Sequence, residues 1–387
     1  MNSKILHAAL FCPAPEGFWG LPIILWGEPG IGKTHFIKDA TTSTGMEYER
    51  LSPAERGEGQ FGVVPVPHTD GFLHYPAPAW AQRFNKGGVL FLDEINTAPP
   101  ALQAPMLGLT QLRALGSYQF PTRTRVLAAA NETMDAAGGW DLAPALANRF
   151  GHFEFEGMSS SDWTIALLGG FANVDDSANI IDAEAEEKRV MEAWPSAFAM
   201  ASGLVSGFIM RRPELLHKRP EKASSSASRA WPSRRSVHYV ATALASARIH
   251  NLSEIDTDDF MAAFVGLPWV QEFATWRANM DLPDPADVLD GNSNWKHDGR
   301  RLDRTLAVLS SCAALVAPEK AAKKKERGNK LWTMIDSVLK DAADVAIPAA
   351  RTLTQAKMHV SSIYPAYKPV GDRLYLVLVQ AGLAKPV

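Results

Sequence analysis

Residues 27–34 combine the residue types and the spacing of a phosphate-binding loop. Their sequence, Gly-Glu-Pro-Gly-Ile-Gly-Lys-Thr, fits the pattern GxxxxGK[ST]. Glycine suits such a loop because the backbone must curl its N–H groups around a phosphate, and a Cβ would obstruct that approach. The lysine side chain would bridge the β and γ phosphates, and the threonine hydroxyl would bind Mg²⁺. We therefore predict that a nucleoside triphosphate contacts the eight residues Gly27, Glu28, Pro29, Gly30, Ile31, Gly32, Lys33 and Thr34.

Two adjacent carboxylates, Asp93 and Glu94, form the second group that could do chemistry. They follow the apolar run at residues 89–92, so they emerge at the end of a predicted buried strand. Two neighbouring acids are costly to bury unless a cation compensates their charge. We predict that Asp93 binds Mg²⁺, directly or through water, and that Glu94 is the general base for the attacking water. Asn96 could position Glu94, contact another subunit or cap the strand end.

In the first part of the chain, short apolar runs alternate with helix-compatible segments. The strands and helices that they predict must position the phosphate-binding loop and the two carboxylates. Residues 22–26, 89–92 and 125–130 are largely apolar, as is typical of strands in a parallel sheet covered on both faces. Such an α/β fold binds ligands at the carboxyl ends of its strands. Helical patterns dominate after residue 155. We predict an α/β nucleotide-binding core, an α-helical domain and a C-terminal helical extension, which comprise residues 1–157, 158–290 and 291–387.

Four segments of the chain occur in an order that is found in a known family. They are GEPGIGKT, GVLFLDEINTAPPALQAPMLGL, RVLAAANET and DLAPALANRF, and the similarity continues through WPSRRSV and AAFVGLPWVQEFATWRANMDLPDP. These segments resemble the AAA+ ATPases, and within them the MoxR-like, dynein-related branch. The resemblance implies a P-loop AAA+ core, with a parallel sheet flanked by helices, followed by an α-helical lid. It also implies ATP as the nucleotide, Mg²⁺ as the metal, and assembly into a homo-oligomeric ring, which we take to be a hexamer.

The resemblance implies roles for three further residues. Asn131 matches the sensor-1 residue, which hydrogen-bonds the attacking water or the γ-phosphate. Arg149 matches the arginine finger that reaches a neighbouring subunit's nucleotide. Arg235 matches the sensor-2 arginine at the start of a lid helix, but Arg234 stands where the family has proline, so either arginine could contact phosphate. Without the resemblance, Asn131 would be a common turn residue and Arg149 a surface salt-bridge partner.

Two further segments resemble insertions that mark this branch. Residues 57–80 resemble the helix-2 insert, and residues 112–121, with a Gly-Ser turn between strand-like flanks, resemble the pre-sensor hairpin. In ring ATPases of this branch, such elements face the pore or the partner. An ordinary β-hairpin with a surface loop is the alternative interpretation.

Composition and charge limit which ligands, metal sites and cell compartments we expect for the protein. The 387 residues carry a net charge of −3, so nucleic-acid binding would need a local basic patch, and the lysines at residues 323–325 lack interleaved aromatic residues. The two cysteines exclude a disulfide framework or a thiolate zinc site and fit the cytoplasm. The histidines show no HExxH or comparable spacing, so no transition-metal site is predicted. Residues 193–210 are uncharged, but Pro195 and three serines favour a buried helix pair over a membrane span.

Together these features predict a Mg²⁺-dependent ATPase that remodels or matures a protein partner. By resemblance, the client often has a von Willebrand factor A domain, and nucleic-acid and membrane partners are disfavoured. A GTPase similar to McrB, which drives a nuclease partner on DNA, is the first alternative. A nucleotide-switched assembly scaffold and a subunit of a tetrapyrrole metal chelatase are the others. Intact Lys33, Asp93 and Glu94 argue against the scaffold.

Overall fold

Two compact units make up the chain. The computed structural model describes residues 1–53, 55, 61, 64–132, 139–169, 181–221 and 225–380. The first unit comprises Met1–Met191 and His217–Pro268, and the second comprises Glu192–Leu216 and Trp269–Val387. The predicted domain boundaries after residues 157 and 290 stay a prediction.

The first unit contains a five-stranded parallel sheet in the order β2-β5-β8-β1-β9. The described strands are β1 (Ile23–Trp26), β2 (Tyr48–Leu51), β3 (Val66–Pro67), β4 (Leu73–His74), β5 (Gly88–Leu92), β6 (Ala114–Leu115), β7 (Tyr118–Gln119), β8 (Thr124–Ala130) and β9 (Gly151–Glu154). Every residue of β1, β5 and β8 is buried, because these three strands lie between the edge strands β2 and β9. The predicted parallel α/β sheet is confirmed.

Helices precede, connect and follow these strands. Up to residue 211 the described α-helices are α1 (Ser3–Leu10), α2 (Lys33–Thr42), α3 (Pro100–Leu112), α4 (Pro144–Ala147), α5 (Ser160–Gly169) and α6 (Ala183–Arg211). Those that follow are α7 (Arg234–Ile249), α8 (Glu254–Val265), α9 (Leu267–Ala278), α10 (Pro285–Asp290), α11 (Leu302–Val316), α12 (Ala321–Leu339), α13 (Ala343–Gln355) and α14 (Tyr367–Gln380). The predicted helical region after the α/β core is confirmed.

The strand register brings the candidate functional segments to one edge of the sheet. Trp26, the last residue of β1, lies opposite Ala130 of β8 on one side and Glu154 of β9 on the other. Leu92, the last residue of β5, lies opposite Ala128 of β8. Because the strands are parallel, the residues that follow β1, β5 and β8 emerge at the same edge.

The apolar segment at residues 193–210 lies in α6, a single continuous helix of 29 residues, so the predicted helix pair was wrong. Among the described residues, α6 is the one helix long and apolar enough to cross a membrane by length and composition alone. Its Gly203 and Gly207 pack closely on α11: a Cβ at these positions would lie 2.3 Å from Cβ of Ser310 and 2.9 Å from the carbonyl oxygen of Asp303. The small residues of this segment therefore serve close helix packing within the second unit.

The second unit has a separate apolar core. Helices α10 to α14 contribute to it, with Trp332 and Leu309 fully buried. Most of the charged run at residues 319–330 lies within α12, which begins at Ala321. Arg327 of this run is buried and pairs with Asp290 and Glu319, which satisfies its charge.

Two hairpins occupy the segments that resemble insertions. The strands β6 and β7 pair antiparallel across Gly116, as predicted for residues 112–121. The strands β3 and β4 pair antiparallel within residues 57–80. Residues 57–60 and 62–63 of that segment lie outside the described residues.

Candidate functional site

β1 leads the chain directly into the predicted phosphate-binding loop, which ends at Gly32, the residue before α2. Gly30 and Gly32 have φ angles of 80° and 98°, which favour glycine, and a Cβ on either would enter open space. A Cβ on Gly27 would lie 2.6 Å from the carbonyl oxygen of Phe155. Glycine therefore shapes this loop at the N-terminus of a helix, the arrangement that binds phosphate through backbone N–H groups.

Lys33 is buried and connects the loop to the end of β8. Its Nζ donates to the carbonyl oxygens of Gly27 and Glu28, each at 2.9 Å, and to Oδ1 of Asn131 at 2.8 Å. Burial lowers the pKa of the Lys33 ammonium, and two nearby carboxylates at the end of β5 oppose that shift. The structure thus brings together the predicted phosphate-binding lysine and the predicted sensor-1 residue.

Thr34 and Asp93 are hydrogen-bonded to each other. The Thr34 hydroxyl donates to Oδ2 of Asp93 at 3.0 Å. Asp93 directly follows β5 and is buried, with 4% of its surface exposed. A hydroxyl and a carboxylate are oxygen ligands of the kind that Mg²⁺ prefers. The donor set therefore fits a Mg²⁺ site, with Thr34 and Asp93 as the residues that would hold the ion.

Glu94 has a left-handed backbone conformation, with φ 52° and ψ 42°. This conformation is costly for a residue other than glycine and is common at functional sites. The carbonyl oxygen of Glu94 accepts hydrogen bonds from the backbone N–H and the hydroxyl of Thr97, both at 2.8 Å, which hold the turn. Within the described part of the chain, the half-buried Glu94 carboxylate has no hydrogen-bond partner. It is therefore available to accept a proton from water.

Asn96 holds the backbone of Asn131. Its Nδ2 donates to the carbonyl oxygen of Asn131 at 2.8 Å, and the N–H of Asn131 donates to Oδ1 of Asn96 at 3.4 Å. The tight turn after Glu94 directs the Asn96 side chain toward the end of β8, and its contact with another subunit stays a prediction. The sequence pattern did not indicate this contact, which joins residues 35 positions apart.

Arg50 in β2 makes a second contact that the sequence pattern did not indicate. Its Nε donates to Oδ2 of Asp93 at 2.6 Å, and its two terminal nitrogens donate to Glu55 at 2.8 and 2.9 Å. The bonds to Glu55 and Asp93 raise the pKa of the Arg50 guanidinium. Arg50 is the register partner of Phe91 in β5, two residues before Asp93. The same carboxylate oxygen thus accepts hydrogen bonds from the Thr34 hydroxyl and from the Arg50 guanidinium.

Arg229 lies at the same edge of the sheet and was predicted only as part of a basic surface stretch. Its guanidinium carbon is 3.7 Å from the centroid of the Trp26 ring, and it pairs with Glu132 at 2.6 Å and Glu154 at 2.9 Å. The same tryptophan donates a hydrogen bond from Nε1 to Nδ1 of His152 at 2.9 Å. Burial lowers the pKa of His152 to about 4, so the ring is neutral at pH 7 and can accept this bond.

Arg149 contacts α3 in this structure. Its Nε donates to Oε1 of Gln111 at 3.1 Å, and its guanidinium also hydrogen-bonds the carbonyl oxygen of Ala145. These bonds hold Arg149 against α3 and the turn that precedes it in its own chain.

Arg235 and Arg234, the first residues of α7, line a cavity of about 290 Å³ within the first unit. Gln111, the partner of Arg149, lines the same cavity. The other described lining residues are Ala14, Pro15, Phe18, Pro22, Thr110, Arg113, His238 and Tyr239. No carboxylate is among them. The two candidates for the sensor-2 arginine thus line a cationic cavity, and Arg149 contacts one of its lining residues, Gln111.

The comparison with known families fits this arrangement. Residues 22–150 match the family model for the AAA domain of the dynein-related subfamily. Residues 22–150 form an AAA domain of that subfamily. The AAA domain begins one residue before β1 and includes Lys33, Asp93, Asn131 and Arg149. Arg235 lies outside the matched range.

A solved structure is also similar to this chain. It is that of a "putative ATPase" from Cytophaga hutchinsonii ATCC 33406, with 15% sequence identity and a TM-score of 0.43. The match covers 70% of this chain and 77% of that chain.

The AAA domain confirms the predicted resemblance to the dynein-related branch and the predicted P-loop fold. Nucleotide binding, usually with Mg²⁺, is a property of this family, and the glycine-shaped loop with Lys33, Thr34 and Asp93 has the donors for both. The individual roles of Glu94, Asn131 and the arginines stay predictions.

Proposed function

We propose that the AAA domain hydrolyses ATP in the presence of Mg²⁺. The hydrogen bonds Lys33–Asn131 and Thr34–Asp93 carry this proposal, because they join three separate segments at the carboxyl edge of the sheet. Desolvation of an ammonium and a carboxylate is costly, and the hydrogen bonds to Asn131 and Thr34 offset part of that cost while they fix the positions of both charges. Each of these groups has the chemistry that phosphoryl transfer to water requires.

Each residue has its own part in the proposed reaction. Backbone N–H groups of residues 27–32 and the Lys33 ammonium bind the phosphates of the substrate. Glu94 accepts the proton of the attacking water while the water oxygen bonds to the γ-phosphorus, and the Asn131 amide orients that water. The bond between the γ-phosphorus and the β–γ bridging oxygen breaks at the same time, so that ADP leaves with that oxygen and its electron pair. When bound by Thr34 and Asp93, Mg²⁺ supplies positive charge that neutralises the phosphates.

The arginines support assembly into a ring of identical subunits, a hexamer by resemblance. Arg234 and Arg235 line the cationic cavity, Arg149 contacts its lining residue Gln111, and the described lining includes no carboxylate. Such a cavity attracts an anion from outside the subunit, and arginine is well suited to bind phosphate. We therefore assign Arg149, and with it Arg235, to the nucleotide of a neighbouring subunit, where they stabilise negative charge in the transition state.

A protein client is the partner that the surface supports best. Phe72 and Leu73, in and beside β4, are 71% and 63% exposed, and exposed apolar side chains of this kind often contact proteins. The resemblance to the MoxR-like branch suggests a client with a von Willebrand factor A domain in the cytoplasm. ATP hydrolysis would then remodel or mature that client.

Mass photometry and phosphate release test this proposal together. Wild type and Glu94→Gln are measured without nucleotide, with ATP and with GTP, and phosphate release is measured with and without DNA. We expect an ATP-dependent ring, turnover that is independent of DNA, and at least about 100-fold slower turnover in Glu94→Gln with the ring retained.

Other outcomes would favour the alternatives. A GTP preference or strong stimulation by DNA would support a motor that drives a nuclease partner. Undiminished turnover in Glu94→Gln would refute the assignment of Glu94 as the base. A monomer under every condition would contradict action of Arg149 between subunits.

A further inference from the structure

The hairpin formed by β3 and β4 brings two histidines and an aspartate together. Oδ2 of Asp70 lies 2.7 Å from Nε2 of His74 and 3.2 Å from Nδ1 of His68. The three potential ligand atoms all lie within 4.8 Å of one another. The side chains remain accessible, with exposed fractions of 55% for His68, 41% for Asp70 and 45% for His74.

The turn fixes the positions of these three residues. The N–H of His68 donates to the carbonyl oxygen of Phe72 at 3.0 Å, which continues the pairing of β3 and β4 to the turn. Gly71 closes the turn with a φ angle of 84°, which favours glycine. Oδ1 of Asp70 accepts the N–H of Phe72 at 2.9 Å, so its other oxygen, Oδ2, is directed to the histidines.

The donor set is one that divalent transition metals prefer. Zn²⁺ binds imidazole nitrogen and carboxylate oxygen at about 2.0–2.2 Å, so tetrahedral ligands lie about 3.4 Å apart. The distances from Asp70 to His74 and His68, 2.7 and 3.2 Å, are both shorter than that spacing, so the three side chains need to separate by only about 0.2–0.7 Å to hold the ion. Two neutral imidazoles and one carboxylate leave a fourth coordination position for water, as in zinc sites with three protein ligands.

A second cluster of the same composition shows what would prevent metal binding. His7, Glu186 and His250 also lie within 4.8 Å of one another. There, however, Arg189 donates to both oxygens of Glu186 at 2.7 Å, so a guanidinium already neutralises the carboxylate. In the part of the chain that the structure describes, the ion pairs of Asp70 involve only His68 and His74.

We propose that His68, Asp70 and His74 form a binding site for a divalent transition-metal ion of the Zn²⁺ class. The ion replaces the hydrogen bonds of Asp70 to the two imidazoles with coordination by Nδ1 of His68, Oδ2 of Asp70 and Nε2 of His74. Because the ligands come from both sides of the turn, the bound ion fixes the end of the hairpin. Phe72, which lies between Asp70 and His74, is then held in one exposed position.

Equilibrium dialysis of the full chain, without an affinity tag, tests this site with Zn²⁺ as the probe. Excess Mg²⁺ is included, because it occupies oxygen-ligand sites such as Thr34–Asp93 and competes poorly for imidazole. We expect one Zn²⁺ per chain at pH 7.5. Asp70→Asn and His74→Asn should each raise the Kd by about tenfold or more, since even loss of an outer partner of a ligand costs about that much.

His35→Gln is the matched control. His35 pairs with Asp39 at 3.0 Å on an exposed helix face, but this pair lacks a third ligand, so the variant should bind Zn²⁺ like wild type. Thermal unfolding without metal should be the same for all variants, because the changed side chains are exposed.

Spectroscopy of the Co²⁺-loaded chain gives an independent measurement. Wild type should show visible absorption of low-symmetry coordinated Co²⁺, and Asp70→Asn should lose it. No saturable Zn²⁺ binding by wild type would overturn the proposal. So would equal affinity of wild type, Asp70→Asn and His74→Asn, or a loss of affinity in His35→Gln as large as theirs.

Discussion

Two regions of the first unit differ in how their charges are balanced. At the carboxyl edge of the sheet, charged side chains are hydrogen-bonded to polar side chains of the same chain: Lys33 bonds to Asn131, and Asp93 to Thr34. Around the cavity at the start of α7, by contrast, Arg234 and Arg235 are not accompanied by any carboxylate in the described lining. We therefore expect the first region to bind a nucleotide within one subunit, and the second region to attract an anion from outside the subunit.

This difference explains how one chain could use both regions. An ATP site needs its phosphate-binding loop, its metal ligands and its base in one subunit, because these groups act on the same few atoms. An arginine from outside adds charge stabilisation only when two subunits meet, so hydrolysis becomes dependent on assembly. We therefore expect that loss of the phosphate-binding lysine in the first region weakens nucleotide binding, and that loss of the arginine that acts between subunits lowers turnover while binding is retained.

Lys33→Ala should have the largest effect on binding. The change removes the ammonium that connects the loop to Asn131 and would bind the phosphates. Charged hydrogen bonds of this kind contribute about 2–3 kcal/mol, so the Kd for ATP should rise about 100-fold. Binding is measured with a fluorescent ATP analogue. Lys38→Ala, an exposed lysine of the same helix, is the control and should bind normally. Normal ATP binding by Lys33→Ala would contradict the proposed role of the first region in nucleotide binding.

Arg149→Ala should lower turnover by about 1,000-fold while each subunit still binds nucleotide. The decisive experiment mixes Arg149→Ala subunits with Glu94→Gln subunits, each inactive alone. In mixed rings, a subunit with an intact Glu94 has a neighbour with an intact Arg149, so turnover should reappear. Arg248→Ala changes an exposed arginine of α7 and should retain full activity.

The mixing experiment can also contradict the comparison. Persistent turnover in Arg149→Ala would mean that another arginine is the finger. Inactivity of the mixture, with mixed rings shown by mass photometry, would mean that Arg149 acts within its own subunit or through the structure of α3.

The central part of the site could be predicted from the sequence because its strands are buried on both faces. β1, β5 and β8 are continuous apolar runs, and the loop residues, Asp93 and Asn131 follow them directly. The edge strands β2 and β9 were not predicted. Their sequences, Tyr-Glu-Arg-Leu and Gly-His-Phe-Glu, are only partly buried and contain charged residues, so they lack the apolar run.

The contacts of Asn96, Arg50 and Arg229 that sequence reasoning missed join distant segments. Arg50 meets Asp93 only because β2 and β5 are neighbours, and Arg229 meets Trp26 from more than 200 residues away along the chain. The cluster of His68, Asp70 and His74 was missed for another reason: its spacing suits a hairpin turn, whereas the histidine patterns considered suit a helix. Tertiary geometry, rather than residue type, carries this information.

Arg50→Gln should have the smallest effect of these variants. It tests whether the Arg50 guanidinium competes with Mg²⁺ for the Asp93 carboxylate. The Arg50 guanidinium shares Oδ2 of Asp93 with Thr34, so it competes with a metal ion for that oxygen. An accessible ion pair contributes about 0.2–1 kcal/mol, so the Mg²⁺ concentration for half-maximal binding of a fluorescent nucleotide should fall about two- to fivefold. Glu55→Gln is the opposing variant, because it removes the other partner of Arg50 and leaves the guanidinium to Asp93 alone. It should raise the Mg²⁺ requirement. If both variants shift the Mg²⁺ requirement in the same direction, Arg50 does not compete with the metal but holds Asp93 in position.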